Sequence, residues 1–164
     1  QIAAMQGANV IAVQRSEKYD TFACARVHVV NSKELNADAM AQKIMQFSDG
    51  KGADIIYNTV GSAYFELANK SLAKGGTQIL ISTQDRAIPF DIFAFYRGMH
   101  TYVGIDTLAL DCIESTKLMN LLRTGFESEK LKPFKVDQVF SLDNALEAYR
   151  LVLGGAQDRV VFKL

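Results

Sequence analysis

The chain reads NVIAVQRSEK at residues 9–18, and the character of this segment changes at its midpoint. The first half is a short apolar run rich in β-branched residues, which predicts a strand at 10–13 that is buried on both faces, as in parallel sheets. The second half is polar and cationic, and a helical pattern follows it. Ligands of open α/β sheets lie at the carboxyl ends of the strands. The segment therefore predicts a strand end that is suited to a nucleotide.

The polar half of this segment contains three side chains suited to a phosphate. Arg15 and Lys18 can pair with its negative charge, and Ser16 can donate a hydrogen bond to it. The alternative is a solvated first turn of a helix, with Ser16 as the N-cap and both cations in water. The residues by themselves leave these two interpretations open.

Length and composition predict one globular domain. The chain has 164 residues, of which 49% are hydrophobic and 22% charged, and 18 Lys and Arg balance 18 Asp and Glu. This balance does not favour a nucleic-acid or membrane partner. No apolar run reaches the length of a membrane span and no signal peptide is recognised, so a cytoplasmic protein is expected. Cys24 and Cys112 form no spaced metal or redox motif, and we expect free thiols.

Predicted strands alternate with predicted helices along most of the chain. This alternation implies a mostly parallel sheet that is covered by helices on both faces. The predicted strands are 10–13, 27–30, 53–58, 77–82, 100–105, 135–140 and 160–162, and the predicted helices are 16–25, 36–47, 90–96, 108–123 and 141–153, with a further helix on which Phe65, Ala68 and Leu72 align.

Several short motifs occur in an order that resembles one known family. They are ADIIYNTVG at 53–61, LAKGGT at 72–77, PFD at 89–91, FYR at 95–97 before Val103-Gly104, and VFSL at 139–142 leading through Gly155 to RVV at 159–161. Together they are similar to the cofactor-binding half of medium-chain dehydrogenases/reductases, and within them to the quinone oxidoreductase and zinc-type alcohol dehydrogenase-like branch. The order and spacing of these motifs carry the resemblance, which covers essentially the whole chain.

The resemblance implies a Rossmann-type domain that binds a nicotinamide cofactor. In the family, the end of the second strand, which corresponds to the strand 10–13 of this chain, contacts the adenosine ribose. An acidic residue there favours NAD, and a neutral residue followed by cations favours NADP. Gln14 occupies the acidic position here, and Arg15, Ser16 and Lys18 follow it. We therefore expect NADP (NADPH) as the cofactor.

Two further segments are expected near the cofactor on the same resemblance. The turn Thr59-Val60-Gly61 matches a family turn that passes close to the cofactor. Ser82 and Thr83 end the next strand, near the expected nicotinamide, although they also suit an ordinary strand-end turn. No catalytic residue is assigned within this chain.

The chain also departs from the family pattern. The family has a first strand, a glycine-rich turn and a catalytic domain upstream of the position of Gln1. Residues 1–164 are therefore expected to be an N-terminally truncated cofactor-binding domain, inactive alone, and zinc is not expected in this chain. Because the first strand is central in the family, the strands 10–13 and 53–58 should each have an unpaired edge, either closed onto the other or filled by another chain.

The expected function follows from the resemblance. It is hydride transfer between the nicotinamide of NADPH and a quinone, enone, carbonyl or alcohol. A small-molecule substrate is the expected partner, and a homodimer is expected through the strand 100–105, where Tyr102, Val103 and Ile105 suit a covered edge. The first alternative is a non-catalytic Rossmann-like dimerisation or binding module. The second is a methyltransferase, and the neutral Gln14 argues against this second alternative.

Overall fold

A computed structural model describes residues 1–15, 27–33, 35–156 and 158–164. The predicted helix 16–25 falls outside these described residues, and so do Ser16, Lys18 and Cys24. The strands and helices of the described part follow in chain order: α1 Ile2–Met5, β1 Val10–Gln14, β2 Val27–Asn31, α2 Ala37–Phe47, β3 Ala53–Asn58, α3 Ser62–Ser71, β4 Leu72–Leu80, α4 Ile92–Gly98, β5 Thr101–Gly104, α5 Cys112–Glu127, β6 Val136–Phe140, α6 Ala145–Leu153 and β7 Arg159–Phe162.

All strand pairs of the described chain are parallel, as predicted, but they form three sheets. The sheets have the orders β1-β2, β3-β4-β5 and β6-β7, with helices on both sides in a Rossmann-like arrangement. No ladder joins β1 to β3 in the described residues, so the alternative in which these two strands close onto each other is not observed. The other alternative, an edge filled by another chain, stays a prediction. A shared apolar core, rather than a strand ladder, connects the first two sheets.

That core lies between α2, α3 and the strands. The buried cluster contains Met40, Ala41 and Ile44 of α2 with Val30 of β2 and Leu67 of α3. Ile11 of β1 and Ala53 of β3 pack against the same cluster. Burying this apolar face removes several large side chains from water, each worth about 1.5–3 kcal/mol. The face of α2 therefore holds β1-β2 beside β3-β4-β5.

Side-chain caps fix the starts of α2 and α5. Asn36 precedes α2, and its Oδ1 accepts the N–H of Ala39 at 2.9 Å. Asp111 caps α5 in the same way through the N–H of Glu114 at 2.8 Å. Such caps satisfy donors that the first helical turn leaves unpaired. The second cap also corrects our prediction for α5, which begins at Cys112 rather than at residue 108.

The last sheet is separate from the others in the hydrogen-bond ladder. α6 connects its two strands, β6 and β7. The Arg159 guanidinium lies 4.5 Å from the centre of the Phe134 ring. β5, by contrast, lies at the edge of the β3-β4-β5 sheet, as its sequence predicted.

Within the described ranges, no helix has both the length and the apolar character needed to span a membrane.

Candidate functional site

Three parallel strands end level with one another. Asn58 at the end of β3 pairs in register with Leu80 of β4, and Leu80 pairs with Gly104 of β5. The segments that follow these residues therefore leave the sheet along one edge. We call residues 58–61, 82–83 and 104–106 the strand-end site. In open α/β sheets this edge is where ligands bind.

The turn after β3 is shaped by the side chain of its first residue. Asn58 is buried, and its Oδ1 accepts the N–H groups of Val60 at 3.1 Å and Gly61 at 2.8 Å. Its Nδ2 donates to the carbonyl oxygen of Gly61 at 3.0 Å. These three bonds satisfy main-chain groups that a tight turn otherwise leaves open. Thr59 and Val60 stay exposed above them.

Gly61 brings two of the predicted segments together. Its φ is 83° and its ψ is −122°, a conformation that glycine adopts far more readily than other residues. A Cβ at this position would clash with the carbonyl oxygen of Ser82 and with Cα of Thr83. The turn 59–61 therefore lies directly against the residues that follow β4. The structure thus brings Thr59, Val60, Gly61, Ser82 and Thr83 together at one edge of the sheet. That they contact a cofactor stays a prediction.

The neighbouring loops are also held by hydrogen bonds. Thr83 Oγ1 donates to the carbonyl oxygen of Asp85 at 2.7 Å, and the N–H of Asp85 donates to Ser62 Oγ at 3.3 Å. The N–H of Ile105 donates to the carbonyl oxygen of Leu80 at 2.9 Å. Ser82 and Thr83 are exposed. The site is thus a fixed main-chain surface with hydroxyl and apolar side chains above it.

The predicted cofactor-selecting residues lie in a different sheet. Gln14 ends β1 opposite Asn31 of β2, and its carbonyl oxygen accepts the N–H of Ser32 at 2.8 Å. Arg15 follows and is exposed. The structure therefore places Gln14 and Arg15 at the carboxyl end of β1, as predicted, but not in the strand-end site. Ser16 and Lys18 lie outside the described residues.

The side chains and main-chain groups described at the strand-end site are suited to binding a ligand. No group of three or more His, Cys, Asp or Glu residues within the described ranges is arranged to hold a metal ion. His28 is stacked on Phe47 with ring centres 4.3 Å apart, which is a packing role. Amides, hydroxyls and main-chain groups can orient a ligand by hydrogen bonding. They do not titrate near neutral pH.

Sequence reasoning missed a buried polar residue beneath the site. Gln78 lies in the middle of β4 with 0% of its surface exposed, and it contacts both Asn58 and Asn69. A buried amide must find partners, because losing its hydrogen bonds to water costs free energy. The signal was available in the sequence, since Gln78 is a long polar residue directly before the apolar run Ile79-Leu80-Ile81 of a predicted strand.

Comparison with protein families gives one match over most of the chain. The family model described as zinc-binding dehydrogenase matches residues 1–122. The match covers α1 through the first part of α5 and so includes the whole strand-end site.

Curated and solved proteins resemble the chain more distantly. A highly reducing polyketide synthase, lcsB from Purpureocillium lilacinum, is 24% identical over 165 residues, which cover 94% of this chain and 6% of that protein. A structure titled NAD-dependent alcohol dehydrogenase is 27% identical, with a TM-score of 0.76 over 99% of this chain and 46% of that one. The JamJ enoyl reductase is 25% identical, with a TM-score of 0.74 over 99% of this chain and 50% of that one. The chain thus spans about half the length of these solved structures.

Proposed function

The chain belongs to the zinc-binding dehydrogenase family, and we propose that it is the part of an NADPH-dependent oxidoreductase that binds the cofactor. Membership of this family makes the chain an oxidoreductase-type domain that binds NAD(P). The choice of NADPH and the class of substrate are the proposal. Because the solved neighbours are about twice as long as this chain, the activity is proposed for the whole protein that contains it.

The contact of Gly61 with Ser82 and Thr83 at the strand-end site carries this proposal. It leaves no room for a Cβ, so the main chain of the turn 59–61 lies close to the ends of β3 and β4. Thr59 and Val60 of this turn are exposed. A low main-chain surface at strand ends suits a flat ligand ring, and the residues present therefore fit the nicotinamide half of the cofactor. Thr59, Val60, Ser82 and Thr83 would contact that half. When bound, the nicotinamide supplies hydride chemistry.

Cofactor selection is proposed for the end of β1. Gln14 is neutral, so it does not repel a 2′-phosphate on the adenosine ribose as a carboxylate would. Arg15 is exposed beside it and can pair with that phosphate through two N–H groups, with Ser16 and Lys18 adding a hydroxyl and a second cation. These residues support a preference for NADPH over NADH.

The proposed substrates accept hydride at an electrophilic carbon. They are quinones, enones and carbonyl compounds, with alcohols in the reverse direction. The similarity to a reducing polyketide synthase and to an enoyl reductase supports the enone class in particular. This chain contributes the main-chain and apolar surface of Val60 that orients the cofactor ring and keeps water from it.

We also propose that the protein is a homodimer through β5. This strand lies at a sheet edge, and Val103 and Ile105 are 38% and 41% exposed. An uncovered apolar edge invites pairing with an identical strand about a two-fold axis. Val103→Lys should give a monomer by light scattering at micromolar concentration. A wild-type protein that is already monomeric there would contradict the dimer.

Fluorescence titration of the intact protein with NADPH and NADH tests the proposed function. NADPH should bind more tightly by roughly tenfold or more, equivalent to about 1.4 kcal/mol. Equal affinities would contradict the proposed selection by the end of β1. Binding of neither cofactor would contradict the function itself and would favour a non-catalytic binding module.

A further inference from the structure

A chain of buried amides runs beneath the strand-end site. Asn58 Nδ2 lies 3.5 Å from Gln78 Oε1, and Gln78 Nε2 donates to Asn69 Oδ1 of α3 at 3.2 Å. The Tyr102 hydroxyl of β5 donates to the same Asn69 oxygen at 2.8 Å. Asn58 is 5% exposed and Gln78 is 0% exposed. We call Asn58, Gln78, Asn69 and the Tyr102 hydroxyl the amide chain.

The direction of the amide chain is set at the turn. The N–H groups of Val60 and Gly61 can only donate, so the Asn58 oxygen must face them. The Asn58 NH₂ group is then turned toward Gln78, which must present its oxygen. The Gln78 NH₂ group in turn faces Asn69, whose oxygen can also accept the Tyr102 proton. One orientation of three amides thus satisfies every one of these contacts.

The far end of the amide chain is held by aromatic packing. The Tyr102 ring lies 5.6 Å from Phe65 and from Phe90 and 5.2 Å from Phe95, measured between ring centres. These rings belong to α3, α4 and the loop before it. The Tyr102 hydroxyl therefore has little freedom to move relative to Asn69.

We propose that the amide chain positions the turn 59–61 for the nicotinamide half of the cofactor, with Asn58 and Gln78 as positioning residues. The inference rests on the proposed function. Asn58 makes three bonds to the main chain of the turn, which set the orientation of its amide, and Gln78 supports that orientation from the buried side at 3.5 Å. Removing the Gln78 amide takes this support away, so the turn above is held less rigidly. Low-dielectric surroundings make each member of such a network depend on the others.

The test uses two ligands that differ by one part. NADPH is compared with 2′-phospho-ADP-ribose, which is the same dinucleotide without its nicotinamide. The variant is Gln78→Met in the intact protein, since methionine keeps the length of the side chain without its polar atoms. Gln42→Met is the matched control, because Gln42 is exposed on α2 and away from the amide chain.

Gln78→Met should weaken NADPH binding roughly tenfold and leave 2′-phospho-ADP-ribose within about twofold of the wild type, as loss of one fixed contact predicts. Gln42→Met should change neither affinity. Equal losses for both ligands would indicate a general structural defect and overturn the inference. Unchanged NADPH binding would overturn it too.

A second variant keeps the inference testable if Gln78→Met does not fold. Tyr102→Phe removes one hydroxyl and keeps the ring, and it should weaken NADPH selectively by about twofold to fivefold, since a single neutral hydrogen bond is lost. No selective loss would overturn the inference. If the wild type binds 2′-phospho-ADP-ribose and NADPH equally well, the inference fails while cofactor binding stands. If the wild type binds neither ligand, the result contradicts the proposed function, and with it the inference that rests on that function.

Discussion

Replacing Gly61 by alanine should damage the strand-end site through two separate effects. The first is backbone strain, since φ at Gly61 is 83° and a residue with a Cβ adopts such angles at a cost of about 1–3 kcal/mol. The second is the clash of the new methyl group with the carbonyl oxygen of Ser82 and with Thr83. Overpacking of this kind costs about 1–3 kcal/mol. The free energy of unfolding should therefore fall by about 2–6 kcal/mol in Gly61→Ala.

Gly75→Ala separates these two effects. Gly75 also has a positive φ, 79°, but a Cβ there would meet nothing within 4 Å. Gly75→Ala should therefore show the cost of strain alone, and the difference between the two variants gives the cost of the clash. Chemical denaturation of the intact protein measures both. Equal losses of stability in the two variants would refute the close contact between the turn 59–61 and the end of β4.

Two other predictions concern stability. Burial raises the pKa of Tyr102. Below the ordinary pKa of 10.0 the tyrosine is neutral in both states, and above it the unfolded chain loses the proton first. The free energy of unfolding should therefore fall as the pH rises above about 10, and it should fall less in Tyr102→Phe. The same dependence of this free energy on pH in both proteins between about pH 8 and 11 would refute the prediction. Asp111→Ala should lower the unfolding free energy by about 1 kcal/mol, because the N–H of Glu114 loses its cap, and an unchanged denaturation midpoint would contradict the cap.

Elements with a strong local signal could be predicted from the sequence. Asn36 followed by a helical apolar stripe gave the start of α2 to within one residue, and the β-branched runs gave β1 and β3. The start of α5 was missed because the cap Asp111 with Glu114 was not recognised as a helix start. Local patterns record capping and burial, so they succeed where those effects decide the structure.

The arrangement of elements that are distant in the sequence was harder to predict. The division of the strands into three sheets is set by pairing between strands that are distant in the sequence, which no local pattern contains. The turn 59–61 and Ser82 were each predicted as candidate residues by family resemblance, but their contact depends on the register of β3 with β4. The contacts of buried Gln78 were missed because its partners are 9 and 20 residues away.

We propose that the cationic end of β1 selects the phosphorylated dinucleotide NADPH over NADH. The most direct test of this claim is the ratio of NADPH to NADH affinity in the intact protein and in Arg15→Glu/Lys18→Glu. The ratio should favour NADPH in the wild type and reverse in the double variant, because two carboxylates repel the 2′-phosphate and can accept from the ribose hydroxyls of NADH. A ratio that is the same in both proteins would contradict the claim.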